Sequence, residues 1–123
     1  RISYHPKIYK TLNGAGCHVN ISTEETRGED GVTVIKKMMP KFKKAHKEHM
    51  EVYGVGNEAR LTGDHETSNF DKFTWGVGDR SASVRIPANI QSVGSGYFED
   101  RRPAATCDPY RVTQKVLQTL EQC

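Results

Sequence analysis

Gly96-Tyr97-Phe98-Glu99-Asp100-Arg101-Arg102-Pro103 alternates along its length. As an extended strand it sets Tyr97, Glu99 and Arg101 on one face and Phe98, Asp100 and Arg102 on the other. Upstream, Ser81 to Ile86 alternates in the same way, with Ala82, Val84 and Ile86 opposite Ser81, Ser83 and Arg85, and Pro87 closes that strand. Near the start, a Gly-rich turn at Asn13-Gly14-Ala15-Gly16 leads into a third alternating stretch. There Cys17, Val19 and Ile21 oppose His18, Asn20 and Ser22, the period of a strand with one buried face. Residues 23–31 are polar and carry Gly28 and Gly31, which suits a loop.

Between the first and second strands, Val32, Ile35, Met39, Phe42, His46, His49 and Tyr53 recur in steps of three and four, the mark of a long amphipathic helix. Pro40 lacks a backbone N–H and crowds the preceding turn, so a kink or break is expected near Met39, and Gly54 and Gly56 end the element. After the last strand, Asp108-Pro109 reads as N-cap and first helical residue, with Val112, Val116, Leu117 and Leu120 forming one apolar face. Strand, helix, strands and helix in that order mean a mixed α/β or α+β architecture.

The 123 residues fit one small domain. A hydrophobic fraction of 35% and a mean hydropathy of -0.70 predict a thin core and exclude a membrane span. The first residues, Arg1 to Pro6, contain no apolar stretch, so no secretory leader is expected. A net charge of +3 is too small to imply a polyanion partner. Cys17, Cys107 and Cys123 are odd in number and lack CxxC spacing, which predicts buried reduced thiols in a cytosolic setting.

The polar faces of the three strands carry His18 with Asn20 and Ser22, Arg85 with Ser81 and Ser83, and Glu99 with Arg101. In one sheet these groups line a pocket for an anionic, phosphorylated substrate with a hard cation, because the guanidinium fork grips oxyanions in pairs of hydrogen bonds. The competing expectation for each residue is a merely polar strand face. His46 and His49 have zinc-like spacing but no partner ligands near them in sequence, so they are expected on a solvated basic face. The six lysines between Lys36 and Lys47 suggest RNA attraction, yet no stacking aromatics accompany them and nearby acids balance them. No nucleic-acid or membrane partner is expected.

Four blocks, residues 13–20, 60–67, 80–87 and 96–103, together resemble glutamine synthetase of the eukaryotic type in order and spacing, and the likeness extends from Asn13 to Tyr110. The resemblance implies an α+β fold with a curved, mainly antiparallel sheet flanked by helices. Residues 1–123 would be the C-terminal portion of the catalytic domain, with the N-terminal domain and the first half of the catalytic domain absent. It implies a cytoplasmic enzyme, assembled as a homo-oligomeric ring, that joins glutamate to ammonia at the expense of ATP with Mg or Mn at the site. His18 and Glu99 would be metal ligands, and Asn20 and Ser22 would lie beside the nucleotide. Asn13, Gly14, Arg60 and Arg101 would hold glutamate. Glu66 would shield the acyl phosphate and take a proton from ammonium, and Arg80 and Arg85 would neutralise phosphate charge. Thr11-Leu12 and Asp79 depart from the family pattern, and Asp79 is expected to compete with phosphate for Arg80. Two metal ligands are too few for a two-metal site, so the 123 residues alone are expected to be inactive. The alternative is a catalytically incomplete binding or regulatory module that associates with the full-length enzyme.

Overall fold

The computed structural model describes residues 1–122. Its elements are β1 (Val19–Ile21), α1 (Gly31–Lys44), α2 (His46–Val52), α3 (Asn57–Arg60), β2 (Trp75–Val77), β3 (Val84–Ile86), α4 (Ala88–Val93), β4 (Phe98–Asp100) and α5 (Pro109–Glu121). The architecture is α+β, built on one mixed sheet of order β1-β4-β3-β2. Strand β4 pairs antiparallel with both β1 and β3, and β2 pairs parallel with β3. The alternating 96–103 segment thus occupies an interior position of the sheet.

The apolar side of the sheet closes on the helices. Ile35, Met39 and Phe42 of α1 meet Val84, Ile86 and Phe98, and the Phe42 and Phe98 rings pack edge to face at 5.4 Å. Each large side chain so buried contributes about 1.5–3 kcal/mol relative to exposure. A second cluster, Met50, Tyr53, Leu61 and Val112, joins α2 to α5. Asp108 caps α5 by accepting from Tyr110 N at 2.9 Å, with Pro109 in the first turn.

Several expectations change. The helix runs unbroken through Pro40 and ends instead at Ala45. Pro40 and Lys36 are both exposed, so water can reach the carbonyl whose partner the proline removes. Gly54 supplies the terminator, with a φ of 115° that a side chain would strain. Only Val84–Ile86 of the expected 81–86 strand is in the sheet. Leu117 is exposed, and Thr119 takes its place on the buried face of α5. Cys17 is exposed and Cys107 half-buried, both free thiols, while Cys123 lies outside the described residues. Among the described residues no helix is long and apolar enough to cross a membrane.

Candidate functional site: a carboxylate among guanidinium groups

The pairing register creates the site. Asn20, Glu99 and Arg85 stand opposite one another on three adjacent strands, and directly paired residues share a face. His18 lies two residues before Asn20 and Arg101 two after Glu99, so the strand period adds both to that face.

Glu99 is the hub. Its Oε1 lies 3.1 Å from His18 Nδ1, and its Oε2 lies 3.3 Å from Arg101 Nη1. Arg85 Nε is 2.7 Å from Oε2, at an angle that makes an ion pair and not a directed hydrogen bond. Burial alone would raise the Glu99 pKa, but Arg101, Arg85 and His18 outweigh it and hold the carboxyl below its usual range. His18 is shifted down, first by burial and then by Arg101, so it is neutral at pH 7. With Nδ1 assigned as the donor to Glu99, its Nε2 keeps a lone pair.

Arg60 braces this face from α3. Its Nη2 donates to the carbonyls of Arg101, Arg102 and Pro103 at 3.1, 2.8 and 2.9 Å, and its Nε donates to Asn57 Oδ1 at 3.1 Å. Burial, then Arg101, lower its pKa to about 10. The glycines make room: a Cβ on Gly16 would stand 2.9 Å from Arg60 Nη1 and 3.0 Å from His18 Nε2, and one on Gly14 would stand 2.7 Å from Arg60 Cγ. Arg101 Nη2 donates to the carbonyl of Glu66 at 3.2 Å, and both His65 and Glu66 adopt positive φ, at 54° and 58°. Two consecutive residues so strained mark a loop held by its surroundings.

Two guanidinium groups and an imidazole surround one carboxylate, and Arg101 Nε is buried without a hydrogen-bond partner. Positive charge in excess and an unused donor are what an added oxyanion satisfies.

His18, Glu99, Arg85 and Arg101 come together on one face, with Arg60 bracing it, Gly14 against Arg60 and Asn20 exposed in the same row. Ser22 is on that face, but its hydroxyl accepts from Arg27 at 2.8 Å. Glu66 reaches the cluster through its carbonyl while its side chain stays exposed. Arg80 and Asn13 are exposed and make no contact with it. Ser81 and Ser83 are not free pocket hydroxyls. Ser81 bonds Asp79, and buried Ser83 accepts from Thr74 N and donates to Lys72 O. Asp79 is taken up by Ser81 N and Oγ at 2.8 and 2.6 Å, an arrangement that holds its pKa down, and it forms no ion pair with Arg80.

A resident metal does not fit these residues alone. Among the described residues no group of three or more His, Cys, Asp or Glu converges. His18 and Glu99 supply two donors that already contact each other, with cations on the other side.

The sequence offered no warning of what lies behind β4. Arg102 and Asp100 are fully buried and joined at 2.8 and 2.9 Å. Arg102 donates to His46 Nδ1 at 2.9 Å and to His49 Nδ1 at 2.6 Å, and its guanidinium lies over the Tyr53 and Phe73 rings. Tyr53 OH donates to Asp100 at 2.7 Å. Both histidines are thus buried and neutral, contrary to a solvated basic face. Burial lowers the pKa of each, and that of His49 to about 3.

Fold and site define an α+β segment with a sheet face on which one carboxylate is held by two guanidinium groups and an imidazole. No family profile matches the chain. Individual proteins do: it is 56% identical over 121 residues to the glutamine synthetase of Schizosaccharomyces pombe, covering 98% of this chain and 34% of that protein. It is 55% identical over 120 residues to a putative glutamine synthetase of Acanthamoeba polyphaga mimivirus, covering 97% of this chain and 34% of that protein. It is 53% identical over 119 residues to a cytosolic isozyme of glutamine synthetase from Pinus sylvestris, covering 96% of this chain and 33% of that protein. The chain is a homologue of eukaryotic-type glutamine synthetases and spans about a third of the length of these relatives.

Proposed function

We propose that residues 1–123 form the C-terminal portion of a glutamine synthetase catalytic domain and supply the phosphate- and glutamate-facing wall of its active site. The sheet described above would be one part of that domain's curved, mainly antiparallel sheet. The observation that carries the reading is Glu99 held among Arg85, Arg101 and His18, in a chain 56% identical to a glutamine synthetase. In the whole enzyme, the γ-carboxylate of glutamate would take the γ-phosphoryl group of ATP, releasing ADP, and ammonia would then attack the γ-glutamyl phosphate and expel phosphate to give glutamine.

The residues have distinct tasks in this scheme. Arg85 and Arg101 place fixed positive charge where the transferred phosphoryl group and the glutamate carboxylate gather negative charge, which lowers the barrier without reorganisation. Arg60 fixes the carbonyl run that carries Arg101 and, with Asn13 and Gly14, borders the glutamate. Asn20 and Ser22 flank the nucleotide. Arg80 swings toward the phosphate from its exposed turn, and Glu66, on its strained loop, covers the acyl phosphate and accepts a proton from ammonium. His18 and Glu99 would be two ligands of a Mg or Mn site only together with further carboxylates from outside these residues, and the segment alone would be inactive. The enzyme would act in the cytoplasm as a homo-oligomeric ring.

Arg85→Ala in the intact protein tests the reading. Glutamine formation should fall at least about a hundredfold in kcat, the usual loss when one preorganised charge is removed from a transition state. Unchanged kcat would refute the role of this face in phosphoryl transfer.

A further inference from the structure

We propose that Cys17 and Cys107 are a reversible dithiol–disulfide pair, a modification site that joins the segment entering β1 to the loop before α5. The two segments are already laced together. Gly16 and Ala104 form an antiparallel bridge, Cys17 N donates to Pro103 O at 2.9 Å, and Ala105 N donates to Ala15 O at 3.0 Å. A turn closed by Cys107 N donating to Ala104 O at 3.0 Å then brings residue 107 back beside that bridge. The Cys107 side chain packs on the cluster of Met50, Tyr53, Leu61 and Val112. Residues 17 and 107 are thereby brought to the same edge, where each thiol is the other's electrostatic neighbour.

Disulfides demand backbone segments at a fixed spacing, and here main-chain hydrogen bonds set that spacing without help from the sulfurs. Access is graded: Cys17 is exposed, and Cys107 is half-buried behind it. A reagent in solution meets the exposed thiol first, so Cys17 is the first to react. The oxidant is a low-molecular-weight disulfide. The Cys17 thiolate attacks one of its sulfurs, forms a mixed disulfide and expels a thiolate. Cys107 then gives up its proton and attacks the Cys17 sulfur, which forms the protein disulfide and expels the second thiolate. Two protein thiols are oxidised, the reagent is reduced to two thiols, and the protein's two protons end on them.

The bond would sit one residue from His18 and against Gly16, where Arg60 passes. Oxidation would therefore pin the edge of the anion-binding face. This inference rests on the bridge and the thiols and stands whether or not the proposed reaction is correct.

The three cysteines fall in three different tryptic peptides, residues 11–27, 102–111 and one beginning at residue 116, because Pro103 blocks cleavage after Arg102. The intact natural protein containing this segment is incubated under native conditions with oxidised glutathione, alkylated and digested. The expected product is 11–27 linked to 102–111, about 2 Da lighter than the two free peptides together and lost on reduction with dithiothreitol. In Cys107→Ser the same treatment should leave Cys17 as its glutathione mixed disulfide. In the wild type, Cys17 found only as that mixed disulfide, or linked to the peptide beginning at residue 116, would overturn the proposal. Oxidation should also raise the Tm of the wild type by several degrees and leave Cys107→Ser unmoved. A linked product that forms only after unfolding, with no rise in Tm, would overturn it equally.

Discussion

The two faces of β4 carry the same chemistry in successive residues and use it in opposite ways. Glu99 and Arg101 look onto one side of the sheet, Asp100 and Arg102 onto the other. On the inner side the books are closed: Asp100 accepts from Arg102 and Tyr53, Arg102 spends its remaining donors on His46 and His49, and aromatic rings cover it. On the outer side one carboxylate faces two guanidinium groups, Arg101 Nε has no partner, and His18 is partly open to solvent. A buried ion pair is stabilising only when its polar atoms find partners, as both Asp100 oxygens and all three Arg102 side-chain nitrogens do behind the strand. The unmatched set in front leaves room for an anion to complete it.

The largest effect expected from this contrast follows removal of one inner partner. Arg102→Met strands the fully buried Asp100 carboxylate without its counter-charge and should cost about 3–5 kcal/mol. Hydrogen exchange of the amides around residues 98–104 should then accelerate by roughly a hundredfold or more. Exchange within a factor of ten of wild type would mean that the inner face is not a closed network.

A smaller, graded effect comes from pH. The unfolded chain binds a proton at His49 near 6.5, while the folded chain withholds it until about 3. Stability therefore falls as pH drops below 6.5, by up to about 1.4 kcal/mol per pH unit for this one group, and His46 acts in the same direction. Urea midpoints between pH 6.5 and 5.5 isolate the histidines, because carboxylates of the unfolded chain, with ordinary pKa values of about 4, take up few protons in that window. His49→Asn should flatten the slope. A pH-independent midpoint in the wild type would show that the histidines are not held neutral by the fold.

How much of this was visible beforehand depended on repeat length. The alternation of 96–102, the three-and-four spacing from Val32 to Tyr53 and the Asp108-Pro109 start each carry several periods or a specific cap, and each corresponds to an observed element. Strand β2 and helices α3 and α4 are three, four and six residues long and offer no period to detect. On the outer face, alternation along each strand picks out the polar groups, so His18, Arg85, Glu99 and Arg101 could be grouped once their three strands were placed in one sheet. Arg102, His46 and His49 could not. Their burial depends on a contact between residues more than fifty positions apart, and charged residues at alternating positions otherwise suggest a solvated edge. Asp79 was misjudged for a similar reason, since a turn that delivers Ser81 N and Oγ to its carboxylate is not written in its neighbour Arg80.

The most direct measurement compares Glu99→Gln with Asp100→Asn in the intact protein, reading glutamine formation and thermal stability for both. Glu99→Gln should abolish most activity while shifting Tm by only a few degrees, because solvent and the remaining donors can accommodate the neutral amide. Asp100→Asn should lower Tm far more, as it leaves Arg102 buried without its counter-charge, and the activity of whatever stays folded should be largely kept. Equal losses of stability in the two variants, or full activity in Glu99→Gln, would contradict the division of β4 into a working face and a structural one.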